Sequence, residues 1–126
     1  MNTDQSNIFA DDLCAPIYDD GYRQVSHVGP TTAGGAYARY AVAKLDGEHI
    51  GEVVFQHDTI PNVGVVGFTN ECLLAIVRNR LQCFQAGGFE CDENADAITA
   101  VCDAIRCLEQ RTASRKARGV EGTHVK

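Results

Sequence analysis

The chain has 126 residues, enough for one modest domain, with the apolar content of an ordinary globular protein. Its net charge of −6 argues against a general affinity for nucleic acid polymers or anionic membranes. No apolar run approaches a membrane span, and the polar start Met1-Asn-Thr-Asp-Gln-Ser-Asn7 lacks the basic and apolar blocks of a signal peptide, so a cytoplasmic setting is expected.

In chain order, residues 1–21 carry little periodicity and close on the turn former Asp19-Asp20-Gly21, which reads as a mobile N-terminal segment and loop. Residues 22–68 read as a β-sheet region. Tyr22–Val28 is a strand candidate, and Gly29–Gly35 is a loop rich in turn formers. Tyr37–Leu45 alternates, Asp46-Gly47 signals a two-residue turn, and His49–Phe55 returns as the partner strand. Pro61, Gly64 and Gly67 then break regular structure over residues 58–69.

Residues 70–119 read as a helical hairpin. Thr69 or Asn70 caps a first helix over about Glu71–Gln85, whose apolar stripe is Leu73, Leu74, Val77, Leu81 and Phe84. Gly87-Gly88 stops it, and Phe89 can pack across the turn. A second, longer helix starts near Asp92, presents Ile98, Val101, Ile105 and Leu108 to the core, and ends at Gly119. Residues 120–126 form a tail. The predicted fold class is therefore α+β, a small antiparallel sheet followed by an antiparallel two-helix hairpin, in a single domain over 1–126.

The charge distribution says more than the sum. Residues 101–126 hold six of the eleven Lys and Arg against the three acids Asp103, Glu109 and Glu121. An acidic body with a basic end suggests a local anion site. Arg111, Arg115 and Arg118 stand four and three residues apart and share a helix face. Their planar forks suit phosphate or carboxylate, and Thr123 and His124 follow closely. A solvated helix end that complements the macrodipole reads equally well from these residues alone.

No catalytic constellation is apparent, and no HExxH, GxSxG or P-loop pattern occurs. His57-Asp58 reads as a strand end more readily than as an acid–base pair, and Ser114 has no evident base. The six cysteines form no CxxC pair and read as buried free thiols, with no metal site and no cofactor expected.

Several blocks carry a resemblance. They are Val66-Gly-Phe-Thr-Asn-Glu71, Leu73-Leu-Ala-Ile-Val-x-x-Arg-Leu-x-x-Phe-Gln85, Phe89-x-Cys-x-Glu-Asn-Ala95 and Arg111-Thr-x-x-Arg-x-Ala-Arg-Gly-Val-Glu-Gly-Thr-His124. Together, over roughly residues 50–126, they resemble the phage-encoded Thoeris anti-defence family, type one. The resemblance implies a protein that is not an enzyme. Its members sequester glycosyl-cyclic ADP-ribose signals made by the defence system's TIR enzyme, inside the host bacterial cytoplasm. It further implies homo-oligomers, dimers and hexamers, and in some members cyclic di- or trinucleotides at separate sites. Carried over by position, Phe84 stacks on an adenine, Asn94 hydrogen-bonds the ligand, and Arg111 and Arg115 hold phosphates; Arg118, Thr123 and His124 complete the block. The chain departs from the family pattern at Val66, at His57-Asp58-Thr59 and at Asp92, positions that bear on ligand preference and on any second nucleotide site. A messenger-degrading enzyme and a small oligomeric regulator binding DNA or a host protein are the alternatives.

One consequence follows from the helix itself. Asn94 and Arg111 are seventeen residues apart, which is ~26 Å at the helical rise. A compact dinucleotide cannot bridge that distance, so a site using both groups is predicted to form between chains.

Overall fold

The computed structural model describes residues 13–126. It comprises four strands, β1 (Leu13–Asp19), β2 (Arg23–Thr31), β3 (Tyr37–Lys44) and β4 (His49–Val54), and then three helices, α1 (Ile60–Val63), α2 (Asn70–Ala86) and α3 (Asp92–Ala117). The chain divides into two compact units between Phe68 and Thr69. The first holds a four-stranded antiparallel sheet in the order β1-β2-β3-β4. The second holds α2 and α3 packed on each other. The class is α+β, as predicted.

β1 is a correction to the sequence reading, which placed a loop across these residues. It pairs with β2 through two register shifts, around Pro16. Proline cannot donate to a ladder and belongs on an edge strand or at a bulge, so this strand lacks the alternation that marks β3. Residues 1–12 of that segment lie outside the described residues. The β1–β2 turn is held by carboxylates. Asp19 Oδ1 accepts from Gly21 N at 2.7 Å, and Asp20 Oδ1 accepts from Tyr22 N at 2.9 Å and Arg23 N at 2.7 Å. These donors, with the Arg23 guanidinium, hold the Asp20 carboxyl below its ordinary pKa.

β2 runs to Thr31, so the glycine-rich loop is shorter than expected and closes on a 3₁₀ turn at Ala33–Gly35. The β3–β4 turn also differs. Gly47 N donates to Lys44 O at 2.9 Å, and Lys44 N donates to Glu48 O at 2.8 Å. This is a three-residue loop with Gly47 in the left-handed region, φ +99°. The interior of the sheet is made of small residues. Val28, Ala38, Ala41 and Ala43 are buried, and Ser26 is the largest fully buried side chain among the described residues.

After β4 the chain is pinned by Gln56. Its Nε2 donates to Asp58 O at 2.9 Å and Gly64 O at 2.6 Å, and its Oε1 accepts from Val66 N at 3.1 Å. Asp58 accepts from Thr59 N at 2.7 Å, so this carboxylate is engaged with the loop rather than poised as an acid–base partner for the exposed His57. Phe68 then lies parallel to Phe55, and a Cβ on Gly67 would fall 2.6 Å from the Phe55 carbonyl carbon.

In the second unit Thr69 caps α2, its hydroxyl accepting from Cys72 N at 3.2 Å. Ile105 of α3 is buried, and Leu73, Leu81, Ile98, Val101 and Leu108 are half-buried around it. Val77 and Phe84 depart from the expected stripe and are exposed. The thiols also differ from expectation. Cys72, Cys83 and Cys107 are exposed and Cys102 half-buried, because α2 and α3 each bury one narrow side and these cysteines stand beside it; Cys91, in the turn before α3, is exposed as well. No described helix is long and apolar enough to cross a membrane.

Candidate functional site

The same local device builds both ends of interest. Helices often finish on a glycine in the left-handed region, and the residue after it donates back to a carbonyl five positions earlier. At the end of α2, Gly88 (φ +101°) takes that conformation and Phe89 N donates to Phe84 O at 3.1 Å. At the end of α3, Gly119 (φ +74°) does the same. Val120 N there donates to Arg115 O at 3.0 Å and Gly119 N to Lys116 O at 3.0 Å. Phe84 and Arg115 therefore occupy equivalent positions in two copies of one capping motif.

At the α2–α3 turn the motif brings the Phe84 and Phe89 rings into an edge contact, centroids 6.3 Å apart. The Arg80 guanidinium lies 5.6 Å from the Phe84 centroid, one helical turn back. Phe84 remains 39% exposed, so its ring is open to a partner and is not sealed in a core. Asn94 Nδ2 donates to Phe89 O at 3.2 Å, and Asn94 N donates to the Cys91 sulfur that caps α3 at 3.4 Å. Gln85 and Cys91 exchange two hydrogen bonds, Gln85 Nε2 to Cys91 O at 3.2 Å and Cys91 N to Gln85 Oε1 at 3.0 Å. The turn is thus rigidly tied, with an aromatic face and an amide side by side and the acids Asp92 and Glu93 flanking them. Arg80, Phe89 and Gln85 were not singled out from the sequence as site residues. The four-residue spacing of Arg80 and Phe84 was the available signal for the first of them.

At the far end of α3 the three arginines part company. Arg111 is exposed and pairs with no described residue. Arg115 is half-buried and turned to the chain's own tail. Its Nη2 donates to Val120 O and Thr123 O, each at 3.0 Å, and its Nη1 donates to Val125 O. Arg118 Nη2 donates to Lys126 O. Thr123 Oγ1 donates to Val120 O and accepts from Val125 N at 3.2 Å. His124 is exposed in the same hooked tail.

The predicted site residues therefore fall into two clusters. One is Phe84 with Asn94. The other is Arg111, Arg115, Arg118, Thr123 and His124. They lie toward opposite ends of the unbroken helix α3, ~26 Å apart at the helical rise, and one chain does not bring them together. The chemistry of the two ends is complementary: a stacking surface and an amide with acids at one, and at the other the exposed Arg111 beside Arg115 and Arg118, whose guanidiniums meet the tail carbonyls. Among the described residues no group of three or more His, Cys, Asp or Glu side chains could hold a metal ion.

No family model matches the chain. Over 93 residues it is 44% identical to Thoeris anti-defense 1 of Bacillus phage SBSphiJ7, a match covering 74% of this chain. The matched stretch spans 65% of that relative, just under two thirds of its length.

Proposed function

With the chain a homologue of Thoeris anti-defense 1, as its sequence blocks implied, we propose that it binds and sequesters glycosyl-cyclic ADP-ribose messengers made by Thoeris TIR enzymes, without cleaving them, in the cytoplasm of the infected host. The observation that carries this reading is that Phe84 with Asn94 and the arginine cluster lie toward opposite ends of α3, too far apart for one compact ligand. A two-fold pair of chains sets the acidic, aromatic end of one copy against the basic end of the other, and forms two equal sites. In each, the exposed Phe84 ring stacks on the adenine, Asn94 hydrogen-bonds the ligand, and the arginines neutralise the diphosphate. Arg118, Thr123 and His124 close the rim. Binding without turnover fits a site whose residues hold phosphate and base with no positioned general base. Such pairs can assemble further, up to a hexamer.

The test incubates the protein with glycosyl-cyclic ADP-ribose, separates the bound fraction, heats it and identifies the released compound by mass spectrometry. Intact messenger is expected. A new product would mark a degrading enzyme, and no bound compound would end the reading. Cyclic di- and trinucleotides, assayed the same way against chains lacking Phe84 and Arg111 side chains, ask whether a separate second site exists.

A further inference from the structure

Resting on the ligand reading above, we propose that Arg80 is a positioning residue for the base: its guanidinium backs one face of the Phe84 ring, and the base stacks on the opposite face. Arg80 stands four residues before Phe84 on α2, the spacing that puts two side chains on one helix face. Long side chains on a helix lean toward its N-terminus, so the Phe84 ring lies back over the turn that carries Arg80. The Arg80 Cζ sits over that ring, 5.6 Å from its centroid. A base sandwiched between the two would need two contact gaps of about 3.5 Å, about 7 Å in all. The observed spacing is too short for that, which leaves the opposite face for stacking. The ring is 39% exposed, and Phe89 stands beside it at 62°, centroids 6.3 Å apart, without stacking on it.

The pairing has an electrostatic consequence. Aromatic faces are negative, so a purine laid flat on a phenyl ring meets repulsion that an offset relieves only in part. A cation behind the ring draws on that negative density and opposes the repulsion. Arg80 is exposed, and among the described residues it makes no hydrogen bond or ion pair that would hold it elsewhere. Its guanidinium is planar, always charged and suited to lying on an aromatic face. The helix end fixes the other side of the residue. Gly88 turns the chain at φ +101°, and Phe89 N donates to Phe84 O at 3.1 Å. Phe84 is thus anchored at its carbonyl by the capping turn and at its back face by Arg80. Arg80 acts on the base through the ring and touches no ligand atom.

The decisive experiment is a double-mutant cycle, read as glycosyl-cyclic ADP-ribose affinity by calorimetry on wild type, Arg80→Met, Phe84→Leu and the combination. Methionine keeps an unbranched stem and removes the charge; leucine keeps apolar bulk and removes the ring. Arg80→Met is expected to weaken binding about 2- to 5-fold, and to add nothing once Phe84→Leu is present. Arg80→Lys keeps a cation within reach of the ring and should bind more tightly than Arg80→Met. An equal loss in both backgrounds would overturn the proposal in favour of a direct contact with the ligand. A lysine variant no better than methionine would overturn the electrostatic role. Nuclear magnetic resonance of the ligand-free protein, with labelled phenylalanine rings, is an independent arm. The Phe84 ring signals should move in Arg80→Met and stay in place in Arg111→Ala; signals unmoved by Arg80→Met refute the contact. Wild type that binds no messenger refutes the ligand reading itself, whereas wild type and Arg80→Met that bind equally well refute the role of Arg80 alone.

Discussion

The proposed pair of half-sites toward opposite ends of α3 leads to a complementation experiment. Phe84→Ala removes the stacking ring, and Arg111→Ala removes the unpaired fork. Base stacking on an aromatic side chain is worth about 1–3 kcal/mol, and a hydrogen bond to a charged group about 1.5–3 kcal/mol. Each variant alone should therefore bind at least about fivefold more weakly than wild type. Neither change should cost much in folding. Phe84 is 39% exposed and loses chiefly its edge contact with Phe89, about 0.5–1.5 kcal/mol. Now let the two variants be unfolded together and refolded. A mixed pair carries one doubly damaged site and one built wholly from intact residues, Phe84 of the Arg111→Ala chain and Arg111 of the Phe84→Ala chain. Random pairing makes half of the pairs mixed, so about a quarter of the sites regain full affinity. Calorimetry at a ligand concentration between the two affinities should read that quarter as stoichiometry. A mixture that binds no better than its separate components would refute the between-chain site.

Two further outcomes test the local structure. Gly67→Ala should lower stability by about 2–3 kcal/mol, because its Cβ would meet backbone atoms of Val54 and Phe55 that cannot swing aside. Gly51→Ala, with nothing within 4 Å of the added carbon, is the control, and urea midpoints compare the two. Cys72 should be the fastest of the described thiols to alkylate. Hydrogen bonds from the Thr69 side chain and backbone lower its pKa, which enlarges the thiolate fraction near neutral pH. Thr69→Val should slow its alkylation near neutral pH, read by mass spectrometry.

The second unit was legible because its signals are local. Thr69 caps, Gly88 and Gly119 reverse the chain, and Ile98, Val101, Ile105 and Leu108 recur at helical spacing, so each decision needs only a few neighbouring residues. β1 was hidden because Pro16 interrupts its alternation, and among the described residues its only sheet neighbour is β2. The β3–β4 turn gained a residue because Gly47 takes the left-handed position after a tight turn, where the dipeptide signal alone suggested a shorter loop. For the site, residue chemistry was readable and residue engagement was not. Nothing in the spacing of Arg111, Arg115 and Arg118 tells which one meets solvent and which meets its own tail. That depends on where the chain travels after Gly119. Phe84 fits an apolar stripe by period, but the narrow side that α2 turns to α3 leaves it outside.

The small residues lining the sheet have a thermodynamic corollary. With Ser26 the bulkiest fully enclosed side chain among the described residues, and with Ile60, Val65, Ile76 and Phe89 more than half exposed, the hydrophobic stabilisation available to an isolated copy is modest. The proposed pairing of chains would cover part of the exposed apolar surface. Melting should therefore be governed by mass action: dilution lowers the transition temperature, and crowding many copies together raises it.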